Sequence, residues 1–183
     1  MACDISAGRL EPCKDSMGGI KAVYFVNYGD MPESGITISV SDDISTVGTS
    51  IPAYKYEVRD ASDYTSNITS SRENGTTYFE QNVNLTFKKM DSATRAEVKA
   101  MAFGRPHIVV EDYNGNFILA GQVNGCDLTA GTIVSGSAAG DLNGYTLTMQ
   151  GREKDPARFL VPASPSGDVM ADVGFSVTEG TNS

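Results

Sequence analysis

His107-Ile108-Val109-Val110-Glu111-Asp112, then Tyr113-Asn114-Gly115-Asn116, then Phe117-Ile118-Leu119-Ala120-Gly121 is the stretch whose reading decides the fold. Two short apolar runs rich in β-branched residues flank an Asn-Gly pair, which supplies the left-handed backbone conformations of a tight hairpin turn. Working outward, the same grammar recurs. Gly131–Gly136 leads into Asp141–Glu153, where Tyr145, Leu147 and Met149 share one face. Upstream, Thr77–Lys88 places Phe79, Val83, Leu85 and Phe87 on one face if Gln81 shares it, a long strand. Ile20–Tyr28 is apolar, aromatic and bounded by Gly19 and Gly29-Asp30, which predicts a central strand. Ile36–Val40 alternates as a strand with one buried face, and Tyr54–Arg59 alternates again.

One segment breaks the pattern. Asp91 or Ser92 can cap a helix over 92–103, which Gly104 ends and Pro106 prevents from restarting. Residues 60–76 hold few apolar anchors and close on Asn74-Gly75, predicting a long loop or one arm of a hairpin. Residues 1–19 read as an extended polar arm. Residues 161–183 read as a C-terminal segment with one late strand near Asp172–Thr178, or as a partner-binding arm. The expectation is therefore a mainly β chain of one domain over 1–183. It has a β core at 20–160, one flanking α-helix, and long loops or arms suited to assembly.

The 183 residues carry 23 Asp and Glu against 14 Lys and Arg, a net charge of −9. That balance argues against a protein that grips nucleic acid, because such affinity comes from Lys and Arg neutralising phosphates. It suits a soluble particle, or the wall of a channel past which a polyanion slides. Met1-Ala2-Cys3-Asp4 has neither the basic nor the apolar region of an export signal, and no stretch approaches the ~18 apolar residues of a membrane span. Cys3, Cys13 and Cys126 form an odd set without metal-ligand spacing, so no disulfide framework or zinc site is expected. His107 is the single histidine, read as a polar residue at a strand edge, and no nucleophile, carboxylate pair or metal cluster surrounds it in sequence. Asp112–Asn116 spaces oxygen side chains like the start of a calcium loop, but no Glu follows at the twelfth position and a hairpin turn explains it. Neither a catalytic activity nor a cofactor is expected.

A domain that only folds has no use for such polar arms. Extended segments can add strands to a neighbour's sheet edge and convert unpaired backbone groups into intersubunit bonds. The candidate assembly residues are Asp60, Tyr64, Asn67, Asn74 and Gly75 of the polar segment, with Cys3 and Leu10 of the N-terminal arm.

The run from Tyr78 to Leu160 is similar to bacteriophage tail tube (major tail) proteins. The likeness rests on a long strand, the helix from Ser92 to Phe103, the strand pair Ile108 to Ala120, and Gly131–Gly136. It closes on a Gly-Tyr strand followed by Gly151-Arg152-Glu153-Lys154 and Pro156-Ala157. The opening Met1 to Tyr28 also resembles the starts of virion proteins of such phages. The resemblance implies a β-sandwich or half-barrel with one helix, and six-fold rings of subunits stacked into a hollow tube for genome delivery. It implies as partners the chain itself and other phage tail proteins, with phage DNA only as passing cargo. The place would be the virion tail, assembled in the host cytoplasm without a membrane. In such a tube the excess of acidic residues, with alternate strand positions facing the channel, predicts a bore of net negative charge. A capsid decoration or head-completion protein would share these features. A β-rich carbohydrate-binding or adhesin module would instead use exposed aromatics such as Tyr24, Tyr28, Tyr54, Tyr56 and Tyr64.

Overall fold

The computed structural model describes residues 8–11, 13–58 and 61–180. Its strands are β1 (Ile20–Val26), β2 (Thr37–Ile38), β3 (Ile44–Thr46), β4 (Ile51–Glu57), β5 (Asp63–Ser71), β6 (Thr76–Lys88), β7 (His107–Asp112), β8 (Phe117–Ala120), β9 (Asp127–Val134), β10 (Gly144–Glu153), β11 (Arg158–Phe159) and β12 (Phe175–Glu179). The helices are α1 (Ser92–Phe103) and a short α2 (Val169–Val173). A six-stranded sheet runs β11-β8-β7-β1-β4-β12 and a four-stranded sheet runs β5-β6-β10-β9, with β2 and β3 pairing as a small ribbon.

The six-stranded sheet is covered on both faces, which explains why β1 and β7 read as unbroken apolar runs. On one face Val23, Phe25, Ile108 and Val110 meet Val83, Leu85, Tyr145, Leu147 and Met149 of the four-stranded sheet, with Val98 and Met101 of α1 closing the side. On the other, Ala22, Tyr24, Val26 and Val109 meet Ile44 and Val47 from the β3 region and Met170 and Val173 of α2. The chain is thus mainly β, two packed sheets with a thin third layer.

Two expectations need correction, and one open alternative is decided. Ile36–Val40 is not a strand with a buried face: only Thr37 and Ile38 pair, Ile38 is 43% exposed and Val40 fully exposed. Alternation supplies a face, but a two-residue ribbon at the rim offers nothing to bury it against. Of the two readings of residues 60–76, the hairpin arm is the one observed: residues 63–71 are β5, paired with β6 from Asp63↔Asn84 to Ser71↔Thr76 around the Asn74-Gly75 turn. Asp172 and Val173 end a second helix, α2, and the late strand begins only at Phe175. The helix at 92–103 forms as expected, with the Asp91 carboxylate accepting from the amides of Ala93 and Thr94.

The pairings give the molecule two unlike ends. At one lie His107, Val26 and Gly121. At the other lie Asp112, Ile20, Glu57 and the Tyr113–Asn116 turn. Gln81 of β6 reaches the first end, its Oε1 accepting from the Gly121 amide at 2.8 Å, while Thr86 lies toward the second, its amide donating to the Ser62 hydroxyl. Beyond Gln81, β5 and β6 leave the sandwich as an overhanging hairpin.

Candidate assembly surfaces

The four-stranded sheet ends on both sides in strands with little to cover them. β5 is exposed along Thr65–Ser70, and β9 along Thr129–Ile133. Such edges carry unpaired backbone groups ready for another strand.

The outer face of this sheet is a cross-strand lattice of amides and hydroxyls. The register sets Thr146 and Thr148 of β10 beside Thr86 and Asn84 of β6, and Gln150 beside Asn82. Thr148 Oγ1 donates to Asn84 Oδ1 (3.0 Å), Gln150 Nε2 to Asn82 Oδ1 (3.0 Å), and Asn84 Nδ2 to the Asp63 carboxylate (3.1 Å). Thr132 and Thr146 share a further bond. By strand alternation this face holds three acids (Asp63, Glu80, Asp127) and two cations (Lys88, Arg152), an excess of one negative charge. Arg152 faces Glu80 at 3.4 Å. The −9 of the chain is therefore not concentrated here, and this face is weakly acidic at most. The lattice escaped the sequence reading, although Asn82-Val83-Asn84 and Thr146-Leu147-Thr148 already alternate polar with apolar.

The sequence-predicted residues fall in different places. Asn67 stands exposed on β5 opposite Glu80, and Asn74 and Gly75 form the hairpin turn, Gly75 with φ +63°. Tyr64 lies at the hairpin's base, half-buried against the core, where burial raises its pKa. Leu10 is 91% exposed in the arm. That arm leaves the opposite end of the molecule, where the Asn114 side chain accepts from the Met17 amide and donates to its carbonyl, both at 2.8 Å. Cys3 and Asp60 lie outside the described residues.

At the hairpin's root a buried polar group ties the loop 121–126 to both sheets. Glu153 Oε1 accepts from the amides of Val123 (2.9 Å) and Asn124 (2.8 Å), and Gln81 holds Gly121. His107 opens β7, as its place after Pro106 suggests, and is buried there between β1 and β8, donating from Nδ1 to the Gly121 carbonyl. The Tyr28 ring stacks on it, with the Arg105 guanidinium over Tyr28. Cys126 beside them is fully buried, and burial pushes its thiol up to about 12, so it is no thiolate at neutral pH. These groups fasten a loop. Among the described residues no three His, Cys, Asp or Glu gather as metal ligands. The Asp112 carboxylate, candidate for a calcium loop, instead accepts from Asn114 and Asn116 within the turn. The tyrosines do not form a common groove: Tyr24 is buried and bonded to Glu111, while Tyr56 packs on Phe25 and Phe87 on the opposite face of the sheet.

His107 carries a prediction. Burial, helped by the Arg105 cation, lowers its pKa against the opposing pull of the Gly121 bond and Glu153. The unfolded chain therefore binds the proton first, so this contribution to stability is complete above about pH 6.5 and shrinks as pH falls toward the lower folded value. Asp112 and Asp141, held below the usual carboxylate range by hydrogen bonds from their turns, lose theirs only below about pH 4. Urea denaturation should show stability falling as pH drops below about 6.5 in the native chain and staying nearly flat over the same range in His107→Gln. Equal slopes would assign the loss elsewhere.

No protein-family model matches the chain, and no curated protein matches it. Among solved structures, a chain from the virion of a native gene transfer agent particle is similar in part. The TM-score is 0.37 and the identity 14%, over 58% of this chain and 89% of that one.

Proposed function

We propose that this chain is a structural subunit of a virion, and at finer resolution the subunit of a tail tube: copies join side by side into six-fold rings that stack into a hollow conduit. The observation that carries the reading is the four-stranded sheet with an open strand at each edge. Pairing β5 of one copy with β9 of the next satisfies both edges at once, and repetition around an axis closes a barrel with no edge left. The amide and hydroxyl lattice then lines one surface of that barrel.

A bore of this chemistry suits DNA as passing cargo. Phosphates are held by Lys and Arg, and this face offers two, one of them facing Glu80. Side chains already bonded across strands have few donors left to catch a moving polyanion. The chain works in this reading without catalysis or cofactor, in contact with itself and with other tail proteins, and phage DNA passes through without being held.

The test is direct imaging. Purified protein at rising concentration should give rings or tubes with six-fold end views by negative-stain electron microscopy. Particles that stay monomeric at every concentration reject the reading.

A further inference from the structure

Asn-Gly pairs occur four times in the chain, at Asn74-Gly75, Asn114-Gly115, Asn124-Gly125 and Asn143-Gly144. In such a pair the backbone nitrogen of the glycine can attack the side-chain carbonyl carbon of the asparagine, and the missing Cβ is what lets the backbone bring the two atoms together. The fold holds three of the pairs. Asn114 Oδ1 accepts from the Met17 amide and Nδ2 donates to the Met17 carbonyl, both at 2.8 Å, and the Gly115 amide donates to the Asp112 carbonyl at 3.3 Å. Asn124 Nδ2 donates to the Arg152 carbonyl at 2.9 Å and to Glu153 Oε2 at 3.3 Å, while Gly125 is buried with its amide donating to the Gly121 carbonyl at 3.2 Å. Gly144 is buried at the start of β10, in register with Lys88 of β6 and Val134 of β9 at once, and the Asn143 carbonyl accepts from the Lys89 amide at 2.6 Å.

Asn74-Gly75 is held by much less. Residues 72–77 are all exposed, and nothing lies within 4 Å of a Cβ built on Gly75. The Asn74 backbone amide donates to the Ser71 hydroxyl at 3.3 Å, but its side chain has no hydrogen-bond partner among the described residues. We propose that Asn74 is a site of spontaneous deamidation, and that the fold protects the other three Asn-Gly pairs from the same reaction. The Gly75 nitrogen gives its proton to hydroxide and bonds to Asn74 Cγ, the Cγ–Nδ2 bond breaks, and the nitrogen leaves as ammonia after taking a proton from water. Water then opens the cyclic imide at either carbonyl, giving aspartate or isoaspartate with no net oxidation or reduction. Either product sets a new carboxylate beside Glu73 and makes the chain more negative than −9. Isoaspartate also adds a methylene to the backbone of a turn whose length fixes the Ser71↔Thr76 register. The reaction needs only an exposed turn, so it stands independently of the assembly reading above.

Peptide mapping by mass spectrometry tests it. The folded chain is held at mildly alkaline pH, at a concentration where sedimentation shows monomers, and sampled over time beside a urea-unfolded control. In the folded chain the peptide with Asn74 should acquire the amide-to-acid mass shift, faster as pH rises, with isoaspartate among the products. Asn114, Asn124 and Asn143 should convert about tenfold or more slowly, because local opening must first break the bonds that hold them. In urea the four should converge on similar rates. Isoelectric focusing of the folded chain should show an acidic species that grows with time and is absent from Asn74→Ser. Conversion of any of the other three at the pace of Asn74 in the folded chain overturns the inference. So does an Asn74 that stays intact in the folded chain while the unfolded chain converts.

Discussion

Gly174→Ala is expected to cost about 3 kcal/mol or more, one of the largest losses available to a single methyl group in this chain. Gly174 sits at φ +115°, just past α2, where an L side chain is strained. A Cβ there would also lie 2.2 Å from the Gly48 carbonyl oxygen and 2.9 Å from its carbon, both backbone atoms that no side-chain rotation can clear. The backbone must therefore part, and what it parts is structural. Val47 donates to Val173 and Ile51 to Gly174, the two bonds that bring α2 onto the sheet and start β12 in register with β4. Met170, Val173 and Phe175, all buried, would lose their seats together. Gly75→Ala is the control: it too has positive φ, but nothing lies within 4 Å of its Cβ, so only about 1 kcal/mol of backbone strain is expected. Denaturation curves of the two variants check it, and equal losses would remove Gly48 from the explanation.

How much of this was legible in the sequence depends on whether an element has a buried face. β6 and β10 alternate cleanly because one side packs on the core and the other meets the Asn and Thr lattice, so both were readable with their faces. The β7–β8 hairpin was readable from Asn114-Gly115. β5 was not recognised as a strand in its own right because it is polar on both sides: its conformation is set by β6 across the turn, a tertiary cause that periodicity cannot report. Ile36–Val40 erred the other way, with a β-like pattern but only the two-residue ribbon with β3 to pair with and nothing covering its face. α2 had its signals, Asp168 at the N-cap and Gly174 at the C-cap, but five residues are too few to show a helical period. His107 was readable as the first residue of a strand, but its burial was not, because that depends on Tyr28, Gly121 and Gln81, which only the fold brings to it. Of the candidate assembly residues, the hairpin set was findable as a polar stretch ending in a turn. Gly131–Gly136 was readable as part of a strand pair with the run after it, but that β9 forms an open edge and that the outer face is a lattice were not, since both follow from the strand order of the sheet.

Shortening the hairpin is expected to abolish assembly while leaving the subunit folded. Replacing residues 68–79 by a two-residue Asn-Gly turn joins Asn67 to Glu80, which already face each other across the ladder. The cut must stop there. Removing residues 61–75 outright would take Ser62, whose hydroxyl accepts from the Thr86 amide, and Tyr64, which packs on the core, and so would confuse folding with assembly. Residues 68–77 are exposed apart from the half-buried Ser71, and of the excised side chains only Ser71, Tyr78 and Phe79 are partly covered. The monomer should therefore lose no more than about 1 kcal/mol. Association should suffer far more. An edge strand contributes a row of backbone bonds, each about 0.5–1.5 kcal/mol net, so losing three or four of them weakens pairing by roughly a hundredfold or more. Sedimentation should show a folded monomer under conditions in which the proposed assembly predicts rings or tubes for the native chain. A shortened chain that builds the same particles at the same concentration would show that β5 and its turn are only a loop, and would leave the lateral contact to β9 and the arm.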